Sequence, residues 1–134
     1  MSLVIDGSVA LAWCLGAETS GHADFVLSLL EKTGATVPSH WELEVVNGLM
    51  VAERHGQIGP GDADRISGLL GALPIEIEAP RRGDAVRVTH RVAQQHNLSA
   101  YDASYIELAL RRGFQVVTMD QALAAVARKE GVGG

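Results

Sequence analysis

Short apolar runs alternate along this chain with longer segments whose apolar residues recur at helical spacing. The runs cover residues 2–5, 35–37 and 114–118, and a fourth short segment, residues 75–77, alternates apolar and charged side chains as a strand does. Strands that are apolar along their length and separated by helices are typical of a parallel sheet that helices cover on both faces. We therefore predict an α/β fold, a three-layer α/β/α sandwich with a central parallel sheet.

Helix-start and helix-stop signals divide the rest of the chain. Ser8 and Ser99 are expected N-caps, and Ser39 with Glu42 three residues later matches a capping box. Pro80 marks the start of another predicted helix, and the glycine-rich end, residues 131–134, is expected to fray. The predicted helices cover residues 8–15, 19–32, 40–55, 60–73, 80–97, 100–112 and 121–129.

Size and composition limit the class of protein. A chain of 134 residues has the length of one domain, so we expect a single domain over residues 1–134. Aromatic residues are only 4% of the chain against 47% hydrophobic residues, which predicts an aliphatic core. Cys14 is the only cysteine, the N-terminus is a poor signal peptide, and no apolar stretch approaches a membrane span. These features predict a cytoplasmic protein.

Net charge argues against one way of binding nucleic acid. Proteins that coat DNA or RNA usually carry a basic surplus, whereas this chain has a formal net charge of −5. An acidic balance does not exclude an enzyme that meets phosphate through a bound cation.

Four carboxylates are candidates for such a site. Asp6 follows the first predicted strand and Asp120 the last, so both belong at the edge where ligands bind in parallel sheets. Asp102 lies in the first turn of its helix. Glu44 lies beside an apolar stripe, which is costly for a carboxylate unless it is paired or holds a metal.

The chemistry of these four residues suggests a metal. Carboxylates that converge repel one another and have raised pKa values unless a cation neutralises them. Oxygen ligands without cysteine favour Mg²⁺ or Mn²⁺ over Zn²⁺. A metal held this way can bind phosphate oxygens and activate water for attack on phosphorus.

Each residue also has a purely structural interpretation. Asp6 could be a turn residue, and Asp102 and Asp120 could be helix caps. Ser8 could serve both as a cap and as a hydroxyl at the site, and Asn47 could orient a carboxylate or simply contact a neighbouring helix. His40, four residues before Glu44, is expected to be a solvated side chain, because one histidine is a poor metal motif.

The ordered motifs together resemble the PIN-domain family, and within it the VapC-type toxins of toxin–antitoxin pairs. The resemblance covers nearly the whole chain, although residues 56–82 carry no matching motif. It rests on Val4-Ile5-Asp6-Gly7-Ser8, Glu44-Val45-Val46-Asn47-Gly48-Leu49, Leu98-Ser99-Ala100-Tyr101-Asp102-Ala103 and Val117-Thr118-Met119-Asp120.

This resemblance implies a specific function. It implies an endoribonuclease that uses Mg²⁺ or Mn²⁺, with Asp6, Glu44, Asp102 and Asp120 as the acidic set and Ser8 near it. It also implies a homodimer that a VapB-like antitoxin protein silences. The RNA target is not implied.

Three alternatives remain at this stage. A phosphoacceptor receiver domain also binds Mg²⁺ with acids at strand ends, but it would need a lysine near the last strands, and the only lysines are Lys32 and Lys129. A phosphatase of the haloacid dehalogenase type would need a second aspartate at position 8, which is serine. A catalytically silent interaction module would not need four acids at one sheet edge.

Overall fold

The computed structural model describes residues 2–15 and 21–134, with the side chains of residues 22 and 23 left aside. Four strands in this part of the chain form one parallel sheet, and helices connect them. The elements are β1 (Leu3–Ile5), α1 (Gly7–Leu15), α2 (Gly21–Thr33), β2 (Ala35–Val37), α3 (Trp41–Arg54), α4 (Asp62–Gly71), β3 (Ile75–Ile77), α5 (Val86–His96), α6 (Ala100–Arg112), β4 (Gln115–Val117) and α7 (Gln121–Lys129).

The strand order is β3-β2-β1-β4, and every pairing is parallel. From β1 the chain moves to β2 and then β3 on one side, and it later returns to place β4 on the other side. The direction of winding therefore reverses between β1 and β4. The carboxyl ends of these two strands border the crevice in which ligands bind in sheets of this type.

The sheet and its helices share an aliphatic core, as predicted. Val4 and Ile5 of β1 are fully buried, and helix α6 packs against β1 and β4. Helix α5 packs on α6, while α1 contacts α2, α3 and α4. The α/β/α sandwich is thereby confirmed.

A glycine sets the approach of α1 to α3. The backbone of Gly48 packs directly against the side chain of Leu11, so that a larger residue at position 48 would force Leu11 to move. This close packing brings α3, which carries Glu44, next to the end of β1.

Several predicted boundaries are confirmed. Ser99 caps α6, since its hydroxyl accepts a hydrogen bond from the N–H of Asp102 (3.1 Å). Gly113 follows that helix with a positive φ of 70°, as an expected C-cap glycine does. Helix α2 is present, although residues 19 and 20 of its predicted range lie outside the described residues.

Three predicted helix starts are wrong. Helix α1 begins at Gly7, so Ser8 is inside it, and its hydroxyl has partners outside the helix. Helix α3 begins at Trp41 with His40 at the N-cap and no side-chain cap, because a backbone turn from Pro38 to Trp41 precedes it.

The third error concerns Pro80, because α5 starts only at Val86. Turns occupy the intervening segment, where Gly83 has a φ of 80°. Proline fits the first position of a helix but also fits the extended segment that follows β3 here.

The carboxyl end of the chain is more ordered than expected. Val132 is buried, its carbonyl accepts a hydrogen bond from the N–H of Val116 (2.7 Å), and Gly133 forms a parallel bridge with Val116. This segment covers the outer edge of β4.

None of the described helices is long and apolar enough to cross a membrane.

Candidate active site

Asp6 lies directly after β1 and is almost completely buried, with 5% of its surface exposed. The hydroxyl of Ser8 donates to its Oδ1 (2.6 Å) and the hydroxyl of Thr118 to its Oδ2 (2.7 Å). Burial raises the pKa of Asp6 and the charge of Glu44 adds to the rise, whereas the two hydroxyl hydrogen bonds oppose it. Asp6 is thus a desolvated carboxylate whose two oxygens are both oriented.

The same two hydroxyls tie the loops after β1 and β4 together. Ser8 Oγ accepts from the N–H of Met119 and Thr118 Oγ1 accepts from the N–H of Asp120, each at 3.0 Å. Sequence reasoning had placed Ser8 near the site, but it missed Thr118. A hydroxyl residue at the end of a strand, two residues before a candidate acid, was the available signal.

Glu44 projects from the first turn of α3 and meets three different groups. The hydroxyl of Tyr105 donates to its Oε2 (2.6 Å), and Nδ1 of His40 lies 3.5 Å from its Oε1. The backbone of Gly7 packs closely against Glu44. A Cβ atom at position 7 would be 3.1 Å from Oε2 and 3.2 Å from the Cβ of Glu44. A larger residue at position 7 would therefore crowd Glu44.

Tyr105 is a further residue that sequence reasoning missed. Its side chain is fully buried, and its pKa is raised by burial, then by Glu44, and also by the charges of Asp6 and Asp102. The phenol thus lies within electrostatic reach of three of the four carboxylates. Its spacing of three residues from Asp102 on one helix was the available signal.

His40 is not the solvated side chain that was expected. Its Nε2 is 2.7 Å from the hydroxyl of Ser104, and its ring packs edge-to-face on Tyr101 and Tyr105 at centroid distances of 5.4 and 5.3 Å. The expectation was wrong because helix α6 passes close to the turn that precedes α3.

Asp102 lies in the first turn of α6, and Asp120 is the N-cap residue of α7. Burial raises the pKa of Asp102, and the charges of Asp120 and Glu44 raise it further. Asp120 is exposed and caps α7, where its Oδ1 accepts from the N–H groups of Ala122 (2.9 Å) and Leu123 (3.2 Å). The capping interpretation of Asp120 is therefore confirmed.

Glu44 and Asp102 lie in the wall of an open cavity of about 320 Å³. Asn47 lies in its wall, one turn of α3 beyond Glu44. The lining residues are Gly7, Ser8, Leu11, Glu44, Asn47, Gly48, Val51 and Asp102.

We call Asp6, Glu44, Asp102 and Asp120 the acidic cluster. Among the ion pairs of the described residues, none joins an arginine or lysine to this cluster, and only His40 approaches it. Negative charge that raises its own pKa values and has no cationic partner suits a hard divalent cation.

The donor chemistry of the acidic cluster therefore fits Mg²⁺ or Mn²⁺, because every donor is a carboxylate oxygen. In residues 2–15 and 21–134, however, no three histidine, cysteine, aspartate or glutamate side chains are grouped closely enough to hold an ion as they stand.

Comparison with known proteins agrees with this fold. The sequence profile of the PIN domain matches residues 3–129, nearly the whole chain. The chain therefore belongs to the PIN domain family.

Two curated relatives carry the name Ribonuclease VapC3. One, from Mycobacterium tuberculosis, is 28% identical over 122 residues, which cover 91% of this chain and 85% of the relative. The other, from Pyrobaculum aerophilum, is 25% identical over 124 residues, which cover 92% of this chain and 93% of the relative.

A solved structure shares the fold. The crystal structure of PAE2754 from Pyrobaculum aerophilum superposes with a TM-score of 0.70 over 94% of this chain and 86% of that chain, at 24% identity. This similarity supports the architecture independently of the sequence motifs.

Proposed function

We propose that this protein is a metal-dependent endoribonuclease and the toxin component of a type II toxin–antitoxin system. The observation that carries the proposal is the acidic cluster, whose carboxylates come from four separate segments, raise the pKa values of Asp6 and Asp102, and form no ion pair with arginine or lysine among the described residues. Membership of the PIN domain family and the two relatives named as ribonucleases support the same activity.

The residues of the acidic cluster would hold one or more Mg²⁺ or Mn²⁺ ions. When bound, such an ion supplies a Lewis acid for phosphate oxygens and lowers the pKa of a water molecule. Ser8 and Thr118 keep both oxygens of Asp6 oriented, and the Oδ1 of Asp120 caps α7, so its Oδ2 is the oxygen that would face a ligand. Asn47 would support substrate or carboxylate from the cavity wall.

The partners in this proposal are RNA, a VapB-like antitoxin and a second copy of the chain. Helix α3 supports the protein partners, since it exposes Leu43, Val46, Met50 and Val51. Beside these residues an apolar groove of about 520 Å³ runs between α3, α4 and β3.

Residues 1–134 would act as one domain, and one cysteine in the chain agrees with a cytoplasmic location.

An RNA cleavage assay tests the activity. Purified protein freed of partners is incubated with pooled cellular RNA and Mg²⁺, Mn²⁺ or a chelator, beside Asp102→Asn and the control Asp64→Asn. Asp64 is an exposed acid of α4 outside the cluster. We expect metal-dependent cleavage by the parent and Asp64→Asn only.

Two results would contradict the proposal. Cleavage that persists in Asp102→Asn would mean a different site or a contaminating nuclease. Folded parent protein that cleaves no RNA with either metal would favour the interaction module instead.

A further inference from the structure

The Glu44 carboxylate is unusual in the acidic cluster because a phenol, rather than a serine or threonine hydroxyl, holds it. Tyr105 comes from α6, 61 residues away in sequence, and its hydroxyl lies 2.6 Å from Glu44 Oε2. Metal-binding carboxylates commonly accept such a hydrogen bond from a neighbouring residue, which orients them and tunes the metal. We propose that Tyr105 is a positioning residue that holds Glu44 for metal binding. This inference rests on the proposed function.

The position of Tyr105 favours this role over simple packing. A buried tyrosine needs a hydrogen-bond partner, and any backbone carbonyl or neutral side chain would satisfy it. Here the partner is a carboxylate with 30% of its side chain exposed, at the edge of the cavity. The charges of Asp6 and Asp102 also raise the pKa of Tyr105.

Gly7 also contacts Glu44. The glycine backbone lets Glu44 approach so closely that a methyl group at position 7 would be 3.1 Å from Oε2. The oxygen that accepts the hydrogen bond from Tyr105 is thus the one that packs against Gly7. These two contacts restrict the movement of the Glu44 carboxylate.

The imidazole ring of His40 packs against the ring of Tyr105. Ser104 donates to the carbonyl of Tyr101 (2.5 Å), and its Oγ is also hydrogen-bonded to the Nε2 of His40 (2.7 Å). This bond fixes the imidazole ring, whose edge-to-face contact with Tyr105 limits movement of the phenol. The two ring systems therefore restrain each other beside Glu44.

Direct Mn²⁺ binding, measured from the electron paramagnetic resonance signal of free Mn²⁺, tests the proposal without an activity assay. Tyr105→Phe removes the hydroxyl and keeps the ring. We expect Mn²⁺ affinity to fall about 10-fold or more, the range found for residues that orient metal ligands. Thr36→Val is the matched control, because Thr36 is a buried hydroxyl residue of β2 whose partner is Ser2, outside the acidic cluster.

A double-mutant cycle separates positioning from structure. If Tyr105 acts through Glu44, then Tyr105→Phe should weaken Mn²⁺ binding in the parent and have little further effect in a Glu44→Gln background. If Tyr105→Phe weakens Mn²⁺ binding by the same factor in the parent and in the Glu44→Gln background, the proposal is overturned. Parent-like Mn²⁺ affinity in Tyr105→Phe would also overturn it.

A second variant keeps the test decisive if Tyr105→Phe does not fold. His40→Gln retains a donor toward Ser104 but removes the bracing ring, and we expect a several-fold loss of Mn²⁺ affinity. Unchanged affinity in that variant would then overturn the proposal. If the parent itself binds no Mn²⁺, the proposed function fails first and the role of Tyr105 fails with it.

Discussion

Two groups of carboxylates begin at the same edge of the sheet and have opposite electrostatic surroundings. Asp6 follows β1 in the acidic cluster, whereas Glu78 follows β3 in a second group that we call the arginine-paired cluster. Its members are Glu78, Glu107, Arg111 and Arg112. Arg111 there donates to Glu78 through both terminal nitrogens (2.7 and 3.0 Å) and to Glu107 through Nε (2.7 Å).

The pKa values record the difference. Hydrogen bonds from Arg111, with help from Arg112, lower the pKa of Glu78, whereas burial and neighbouring carboxylates raise the pKa values of Asp6 and Asp102. Arginine side chains pair with the acids of the arginine-paired cluster, whereas no ion pair of the described residues joins an arginine or lysine to the acidic cluster. A carboxylate that the protein leaves uncompensated is a better candidate for ligand binding than one it has already paired.

The largest expected effect is on activity in the acidic cluster. Asp6→Asn should lower metal-dependent RNA cleavage more than about 100-fold, because losing a ligand should cost at least as much as losing a residue that orients one. Its thermal unfolding midpoint should stay at or above that of the parent, because the substitution removes a desolvated charge. A folded variant with parental cleavage would contradict the assignment of Asp6.

The arginine-paired cluster should respond in the reverse manner. Arg111→Met leaves Glu107 and Glu78 without their main partner, and Glu107 has only 6% of its surface exposed. We expect a loss of about 3 kcal/mol in the free energy of unfolding, measured by urea denaturation. The control is Arg65→Met, which removes an exposed pair with Asp62 and should cost far less. Equal losses in the two variants would refute the comparison.

The acid limb of the stability curve gives a third test. Because the folded-state pKa of Glu78 is below its ordinary value, its contribution is present above about pH 4.3 and is lost as the pH falls through the folded-state pKa. Glu78→Gln should therefore lose stability at neutral pH and show a shallower decline below pH 4.3. Parallel pH profiles for variant and parent would show that the pairing contributes nothing.

The smallest effect is expected at a third paired carboxylate. Glu130 accepts hydrogen bonds from Arg91 (3.2 Å) and His96 (2.7 Å), which lower its pKa, but Arg91 is largely exposed. Glu130→Gln should cost about 1 kcal/mol in the free energy of unfolding and leave RNA cleavage unchanged. A loss as large as that of Arg111→Met would mean that burial of the paired arginine does not decide how much free energy of unfolding is lost when the pair is removed.

Much of the fold could be predicted from the sequence because its signals are local. Apolar or alternating runs identified the four strands of the described residues, and Ser99 and Gly113 bounded α6. The errors at Ser39 and Pro80 arose where two local preferences compete. The backbone turn from Pro38 to Trp41 replaces the predicted serine cap of α3, and Pro80 fits the extended segment after β3 as well as it fits a helix start.

The site was predicted less completely. Carboxylates at strand ends can be found from position alone, and in the structure the charge of Glu44 acts on Asp6 and on Asp102, and that of Asp120 on Asp102. Tyr105 and Thr118 were missed because their importance comes from the oxygens to which they donate, 61 and 112 residues away. The arginine-paired cluster was missed for the same reason, since only the packing of α6 beside β3 shows which acids are compensated.

The most direct test of the central claim is Mn²⁺ titration by isothermal calorimetry of the parent, Asp6→Asn and Glu78→Gln. If the uncompensated acids form the metal site, the parent and Glu78→Gln should bind Mn²⁺ with similar affinity, and Asp6→Asn should bind at least about 10-fold more weakly. Equal binding by Asp6→Asn and the parent, or loss of binding in folded Glu78→Gln alone, would contradict the claim.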